Sequence, residues 1–313
     1  MDARRVQVVG GKGGVGRTTI ACALALAHAR RGDRTLLLEV NAASSAAQRL
    51  GVAPAPDEPQ EVLNNLWLCN MTPAGSLREY ALLILRFRAV YNLVFENRLV
   101  KYSLRSIPSL AEVTMAGKFW YHTVETRRDG RPKYDRIILD APATGHALTF
   151  LGVSRVVADL APGGRMKREV SRMAEMIESR DTCLHIVTRP EEMPVNEAID
   201  LEVAARARLR MTLGLGFMNF FPSEWLARSE RAMLRRVRPT PEIAPYLRAA
   251  EARLSRTERA EAERLRLMEQ SQIHYLDVPD FDRLPPGAEG LERVVDHLTA
   301  IMDPEGRAAE ARQ

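Results

Sequence analysis

The sequence predicts an α/β protein, a doubly wound, mostly parallel sheet with helices on both faces and an inserted α-helical subdomain. Three observations predict it. Short apolar runs of strand length recur along the chain with helical stretches between them, as parallel strands joined by crossover helices require. The first run leads directly into a glycine-rich turn and an apolar helix. Residues 77–125 carry apolar residues too densely for a one-sided helical stripe, which marks them as the inserted helices.

Taken in order, residues 4–9 read as a buried strand, Arg17 to Arg31 as a helix and Thr35 to Val40 (TLLLEV) as a second strand, together a βαβ unit. Leu66 to Cys69 follows the Pro-rich loop APAPDEP as a third strand. Within the insertion, Leu82, Leu83, Leu85, Val90, Leu93, Val94 and Phe95 fall on more than one helical face. That pattern fits a helix buried between two others, and it equally fits a surface that holds an apolar client or lipid. Arg136 to Leu139 ends in Asp140 like a buried parallel strand, and Thr182 to Val187, Leu213 to Met218 and Ile273 to Val278 have the same character. Residues 223–270 form a second helical block, where acids and arginines alternate at i,i+3 and i,i+4 spacing as on a solvated helix. Residues 303–313 read as a flexible tail, so the expectation is one phosphate-loop domain over 1–313 with two helical blocks.

Composition narrows the function classes. With 46% hydrophobic and 27% charged residues, the chain can bury a sizeable core. No window reaches the roughly 18 apolar residues of a membrane span, and the N-terminus has no signal-peptide pattern, so the expected location is cytoplasmic, peripheral to a membrane only through a partner. The net charge of +5 is spread along the chain and interleaved with acids, which argues against a nucleic-acid partner. Cys22, Cys69 and Cys183 lie far apart with no CxxC pair, and His122, His146 and His185 sit in separate segments, so no zinc, iron–sulfur or disulfide framework is expected. Only five of the 45 basic residues are lysines, and one of them, Lys12, lies in the most informative segment.

That segment is GGKGGVGRTT, directly after the first strand. Gly11 to Thr18 fit the GxxxxG[K][ST] phosphate-loop frame with Arg17 in the lysine position. The glycines allow backbone N–H groups to turn toward phosphate oxygens, the helix starting near Arg17 offers its positive end, and the Thr18 hydroxyl is placed to bind Mg²⁺. Gly11, Lys12, Gly13, Gly14, Val15, Gly16, Arg17, Thr18 and Thr19 are therefore the candidate nucleotide cradle.

Lys12 at the second loop position resembles the deviant phosphate-loop (SIMIBI) ATPases, where this lysine reaches across a dimer to the partner's nucleotide. DAPATGHALTFL (Asp140 to Leu151) resembles the switch II sequence of the ArsA-like branch, which includes the guided-entry ATPases that target tail-anchored proteins. SLAEVTMAGKFWY (Ser109 to Tyr121) is similar to that branch's helical insertion, and VTRPEEMPVNEA (Val187 to Ala198) to its V-T-x-P-E-E-x-x-x-x-E segment. GLGFMNFFPS and VPDFD resemble its adenine-side segments. The resemblance implies a dimer, ATP and Mg²⁺ as cofactors, Asp140 as the acid that holds a Mg²⁺ water, and Gly145 as a backbone sensor of the γ-phosphate. It also implies base contacts from Asn219, Pro279 and Phe281.

Two positions depart from that pattern. Arg17 keeps the charge but presents a planar fork instead of a compact ammonium. The branch's switch I sequence D-P-A-H is replaced by Asn41, Ala42, Ala43 and Ser44, so the carboxylate that orients the attacking water is missing. Glu39, two residues earlier, is expected on the other side of the strand. The resulting expectation is an ATP-dependent dimeric switch with weak or lost hydrolysis, as a homodimer or beside a catalytically complete ArsA-like paralogue. One alternative is a targeting factor that holds an apolar client along Tyr80 to Val100 and Met115 to Tyr121; another is a competent slow ATPase. An arsenite-pump role is not expected, because the three cysteines do not cluster.

Overall fold

A computed structural model of the chain describes residues 2–85, 110–160, 164–223, 225–281 and 288–302. Eight strands form one sheet: β1 (Val6–Gly11), β2 (Thr35–Val40), β3 (Gln60–Leu63), β4 (Leu66–Met71), β5 (Arg136–Asp140), β6 (Thr182–Thr188), β7 (Thr212–Phe221) and β8 (Tyr275–Pro279). Their order is β3-β4-β2-β5-β1-β6-β7-β8, and every pairing is parallel except β3 with β4. The doubly wound α/β architecture expected from the sequence is present. Successive crossovers leave β1 on opposite sides, so its carboxyl end faces the crevice where such sheets bind ligands.

Strand alternation sorts the core into two layers. Val9, Leu37, Ile138 and Val187 point to one face and meet α1 (Arg17–Arg30), α2 (Ser45–Leu50) and α10 (Ala288–Met302). Val8, Leu36, Leu38, Ile137 and Leu139 point to the other and meet α4 (Leu110–Val124), α5 (Thr144–Leu160) and α7 (Glu192–Ala207). Helix α1 is alanine-rich and buried along nearly its whole length, because small side chains let it lie close between the sheet and α10. The remaining helices are α3 (Pro73–Leu85), α6 (Gly164–Glu178), α8 (Arg228–Leu234) and α9 (Ala244–Gln270).

The structure departs from the sequence expectations at several points. β3, a short antiparallel edge strand beside the Pro-rich loop, was not anticipated, since its exposed QEVL has no apolar alternation of its own. β4 and β7 run longer than expected and β8 starts later. Helix α4 contributes Met115, Ala116 and Phe119 to the main core, so these residues do not line an open client groove. They are apolar because they pack under the sheet. Residues 86–109, including Val90 to Phe95, lie outside the described residues, as does the tail 303–313. Among the described residues, no helix is long and apolar enough to cross a membrane.

Candidate functional site

At the carboxyl end of β1 the chain makes its glycine turn against β6 and β7. A Cβ on Gly11 would run into the Val187 carbonyl oxygen. Gly16 has φ +93, and a Cβ there would strike the side-chain amide of Asn219. Asn219 is buried and donates from Nδ2 to the Val15 carbonyl at 2.9 Å, so in this structure it holds the loop from the β7 side. After Gly16, Arg17 and Thr18 open α1, whose first-turn N–H groups have no partner within the helix and no side-chain cap.

Both side chains reach β5. The Arg17 guanidinium donates to the Ala141 carbonyl, which ties the loop to the first residue after the strand. Burial lowers the Arg17 pKa, against the opposing pull of Asp140. The Thr18 hydroxyl donates to Asp140 Oδ2 at 2.6 Å, while Asp140 Oδ1 is buried with no partner. Burial raises the Asp140 pKa to about 6; the Thr18 hydrogen bond and Arg17 hold it down, and Glu39 pushes it up. A hydroxyl and a carboxylate meeting at the mouth of the glycine loop, with one buried carboxylate oxygen unpaired, are hard oxygen donors that suit Mg²⁺.

The position that the sequence pattern aligns with switch I differs. Asn41 leaves β2 with φ 48 and is exposed, and its N–H donates to the Met71 carbonyl at 2.8 Å. Asn70 clamps the following residue, accepting from Ala42 N–H at 3.1 Å and donating to its carbonyl at 2.7 Å. Glu39 is not turned away, contrary to the expectation. Residues two apart on a strand share a face, and Glu39 lies on the α1 face beside its register partner Asp140. It is fully buried and accepts from the Ser45 hydroxyl at 2.7 Å and the Ala46 N–H at 2.8 Å.

Around this centre, Lys12 forms an ion pair with Glu197 on α7 of the same chain. Gly145 is exposed in the first turn of α5. Along β7 and β8, Pro279 ends β8 as the register partner of Phe221, while Phe281 packs edge-on against His297 with ring centroids 6.0 Å apart. Two residues that the sequence reading did not single out also stand here. The Arg189 guanidinium lies 4.9 Å from the ring centroid of Phe220, which itself has φ 58. Paired phenylalanines directly after Asn219 were the available signal.

The opposite, amino-terminal end of the sheet holds a second buried polar group. Asp2, Cys183 and His185 offer ligand atoms within 4.8 Å of one another, a proximity that the spacing of the cysteines and histidines did not reveal. The hydrogen bonds assign the protons there. The Leu215 N–H donates to His185 Nδ1 at 2.9 Å, so the imidazole proton resides on Nε2 and donates to Gln7 Oε1 at 3.2 Å. Gln7 Nε2 then donates to His28 Nε2 at 3.2 Å, and His28 Nδ1 donates to Asp33 at 3.1 Å. Burial lowers the His185 pKa to about 4. The nitrogen facing Cys183 and Asp2 carries the proton, so this cluster is a closed hydrogen-bond chain and not a metal site.

Residues 4–179, which include the glycine loop, Asn41, Asp140 and Gly145, match the family model for anion-transporting ATPases. The chain is 31% identical over 226 residues to the ATPase BagA of Mycobacterium tuberculosis, an alignment covering 69% of this chain and 64% of that protein. It is 28% identical over 159 residues to the ATPase GET3 of Kluyveromyces lactis, covering 49% and 46% of the two chains. To the arsenical pump-driving ATPase of Escherichia coli it is 26% identical over 203 residues, covering 61% of this chain and 30% of that one. The aligned parts thus span less than two thirds of the length of each of these relatives.

Proposed function

The chain belongs to the family of anion-transporting ATPases, and from that premise we propose that it binds Mg·ATP as one half of a dimeric switch whose own hydrolysis is slow or absent. Backbone N–H groups from Gly11 to Thr19 take the phosphates at the start of α1, where the helix end favours negative charge. Thr18 would hold Mg²⁺ directly and Asp140 through water; the ion, when bound, neutralises charge on the β- and γ-phosphates. Arg17 keeps a positive charge at the loop and links it through Ala141 to switch II. Gly145, exposed at the head of α5, offers its N–H to the γ-phosphate, so that the nucleotide state is passed to that helix.

The observation that carries the reduced hydrolysis is Asn41. Where the branch's pattern places a carboxylate, this chain has an amide that is exposed and off its strand. An amide can hydrogen-bond a water but cannot accept its proton. Lys12 supports the dimer. Paired with Glu197 in one subunit, it must exchange that carboxylate for a partner's phosphate to act across an interface. The partner is a second copy of this chain or an ArsA-like paralogue with a complete switch I.

Calorimetric titration with Mg·ATP, followed by assay of the recovered nucleotide, tests this, alongside an Arg17→Lys, Asn41→Asp double variant. The expected result is saturable binding with ATP recovered intact, and phosphate release gained by the variant. Multiple-turnover phosphate release by the wild type would mark a competent ATPase and sink the switch reading; absence of binding would sink it altogether.

A further inference from the structure

Two carboxylates end side by side on the α1 face of the sheet. Glu39 on β2 and Asp140 on β5 are register partners, Glu39 fully buried and Asp140 7% exposed. Asp140 uses Oδ2 to accept from Thr18, and Glu39 uses Oε1 to accept from Ser45 and Ala46. The second oxygen of each, Asp140 Oδ1 and Glu39 Oε2, is buried without a hydrogen-bond partner. An unpaired buried carboxylate oxygen costs free energy, and a like charge beside it adds to the cost. Arg17, the loop cation whose charge acts on Asp140, donates to the Ala141 carbonyl.

Capping α2 does not account for Glu39. The cap uses one oxygen, and a neutral amide carbonyl would accept the same two hydrogen bonds without bringing a second charge to Asp140. A cation with its waters does account for it. Mg²⁺ gives up water reluctantly and is usually held by one or two carboxylates plus substrate phosphates, the remaining coordination positions being waters that need acceptors. We propose that Glu39 is a positioning residue for the divalent cation, its Oε2 accepting a hydrogen bond from a water of the ion held by Thr18 and Asp140. The inference rests on the Mg·ATP reading above and adds a second strand to the metal's surroundings. It leaves Asn41 without a substitute as an acceptor for the attacking water's proton, since Glu39 is fixed beneath the loop by Ser45 and Ala46.

The test uses the full chain with ATP and Mn²⁺ as a paramagnetic stand-in, bound and free ion being counted by electron paramagnetic resonance. Glu39→Gln keeps a carbonyl oxygen for Ser45 and Ala46 and removes the charge. Its ATP affinity in EDTA is expected within about twofold of wild type. Its Mn²⁺ affinity in the nucleotide complex is expected to fall roughly tenfold or more, the usual effect of losing a partner of the inner ligands. Glu39→Asp keeps the charge but withdraws the oxygen by one methylene, and its loss should lie between; it decides the matter if Glu39→Gln does not fold. Ser45→Ala weakens the α2 cap and leaves the carboxylate, so its Mn²⁺ affinity should stay within about twofold of wild type. Wild-type Mn²⁺ affinity in both Glu39 variants, or an equal loss in Ser45→Ala, overturns the proposal and leaves Glu39 a helix cap. A wild-type chain that fails to bind ATP at all overturns the underlying Mg·ATP reading as well, which separates the two failures.

Discussion

Two buried polar groups at opposite ends of one sheet are treated in opposite ways. At the amino-terminal end, Asp33, His28, Gln7, His185 and the Leu215 N–H form a chain in which every donor meets an acceptor. At the carboxyl end, Asp140 Oδ1 and Glu39 Oε2 meet none. Both ends are buried and both contain titratable residues, so burial and residue type do not separate structure from function here. Satisfaction does. A closed network stabilises the fold and leaves no capacity for a ligand, whereas unpaired acceptors beside the proposed phosphate cradle are capacity held in reserve.

The largest expected effect breaks the closed end. His185→Ala leaves Gln7 Oε1 and the Leu215 N–H unpaired and opens a cavity beside Phe217, whose ring centroid is 5.8 Å from the imidazole. It should cost about 3–5 kcal/mol in denaturant unfolding, with ATP affinity of the folded fraction unchanged. A variant that kept its stability would show that the network is not structural.

The open end should respond in the reverse sense. Asp140→Asn is expected to lose Mg²⁺-dependent ATP binding by roughly a hundredfold, seen by calorimetry, while the nucleotide-free protein melts at a higher temperature at pH 8. The second effect follows because the buried carboxylate, with its pKa raised to about 6, is ionised at pH 8 at a cost to the fold. Unchanged or lower melting would remove the idea of reserve capacity there.

pH sharpens the same contrast. Asp140 is raised from 3.8 to about 6 on folding, so the fold binds the extra proton and its penalty is relieved as pH falls from about 6 toward 4. His185 is lowered from 6.5 to about 4, so its contribution is present above pH 6.5 and is lost as pH falls toward 4. The two slopes oppose each other across one window. Compared with wild type, Asp140→Asn should therefore lose stability more steeply on acidification, and His185→Gln less steeply, with differences of a few kcal/mol at most between pH 6.5 and 4. Parallel curves for all three proteins would remove the contrast.

The smallest expected effect lies at the rim. Lys12 and Glu197 are both partly exposed, so Glu197→Gln should change stability by no more than about 0.5 kcal/mol. Its value is in assembly. Light scattering with Mg·ATP should show dimer forming at lower protein concentration in Glu197→Gln, because Lys12 is released, and unchanged assembly would mean that the pair does not restrain it.

Much of the fold was legible because local physics writes it into neighbouring residues. The apolar runs at 35–40 and 136–139, the glycines at 11 and 16 and the helix start at Arg17 each declare themselves within a few positions, and the Thr18 and Asp140 types declare their chemistry. β3 was hidden, because an exposed edge strand with no apolar face looks like loop. Met115 and Phe119 were read as groove candidates, because apolar density states that a side chain is covered and not by what.

What the sequence determined by itself is therefore the parallel architecture and the glycine-rich turn between the first strand and helix, which depend on residue type and short-range spacing; the phosphate role of that turn and the want of a carboxylate at Asn41 belong to the function proposed above. The tertiary structure alone decided that Glu39 stands beside Asp140, that Lys12 meets Glu197 and that His185 closes a chain running to Asp33. Each of these joins residues about 100 or more positions apart somewhere along its path. Sheet register and crossover placement bring such groups together, and only then does it become visible which buried polar atoms are satisfied and which are left open.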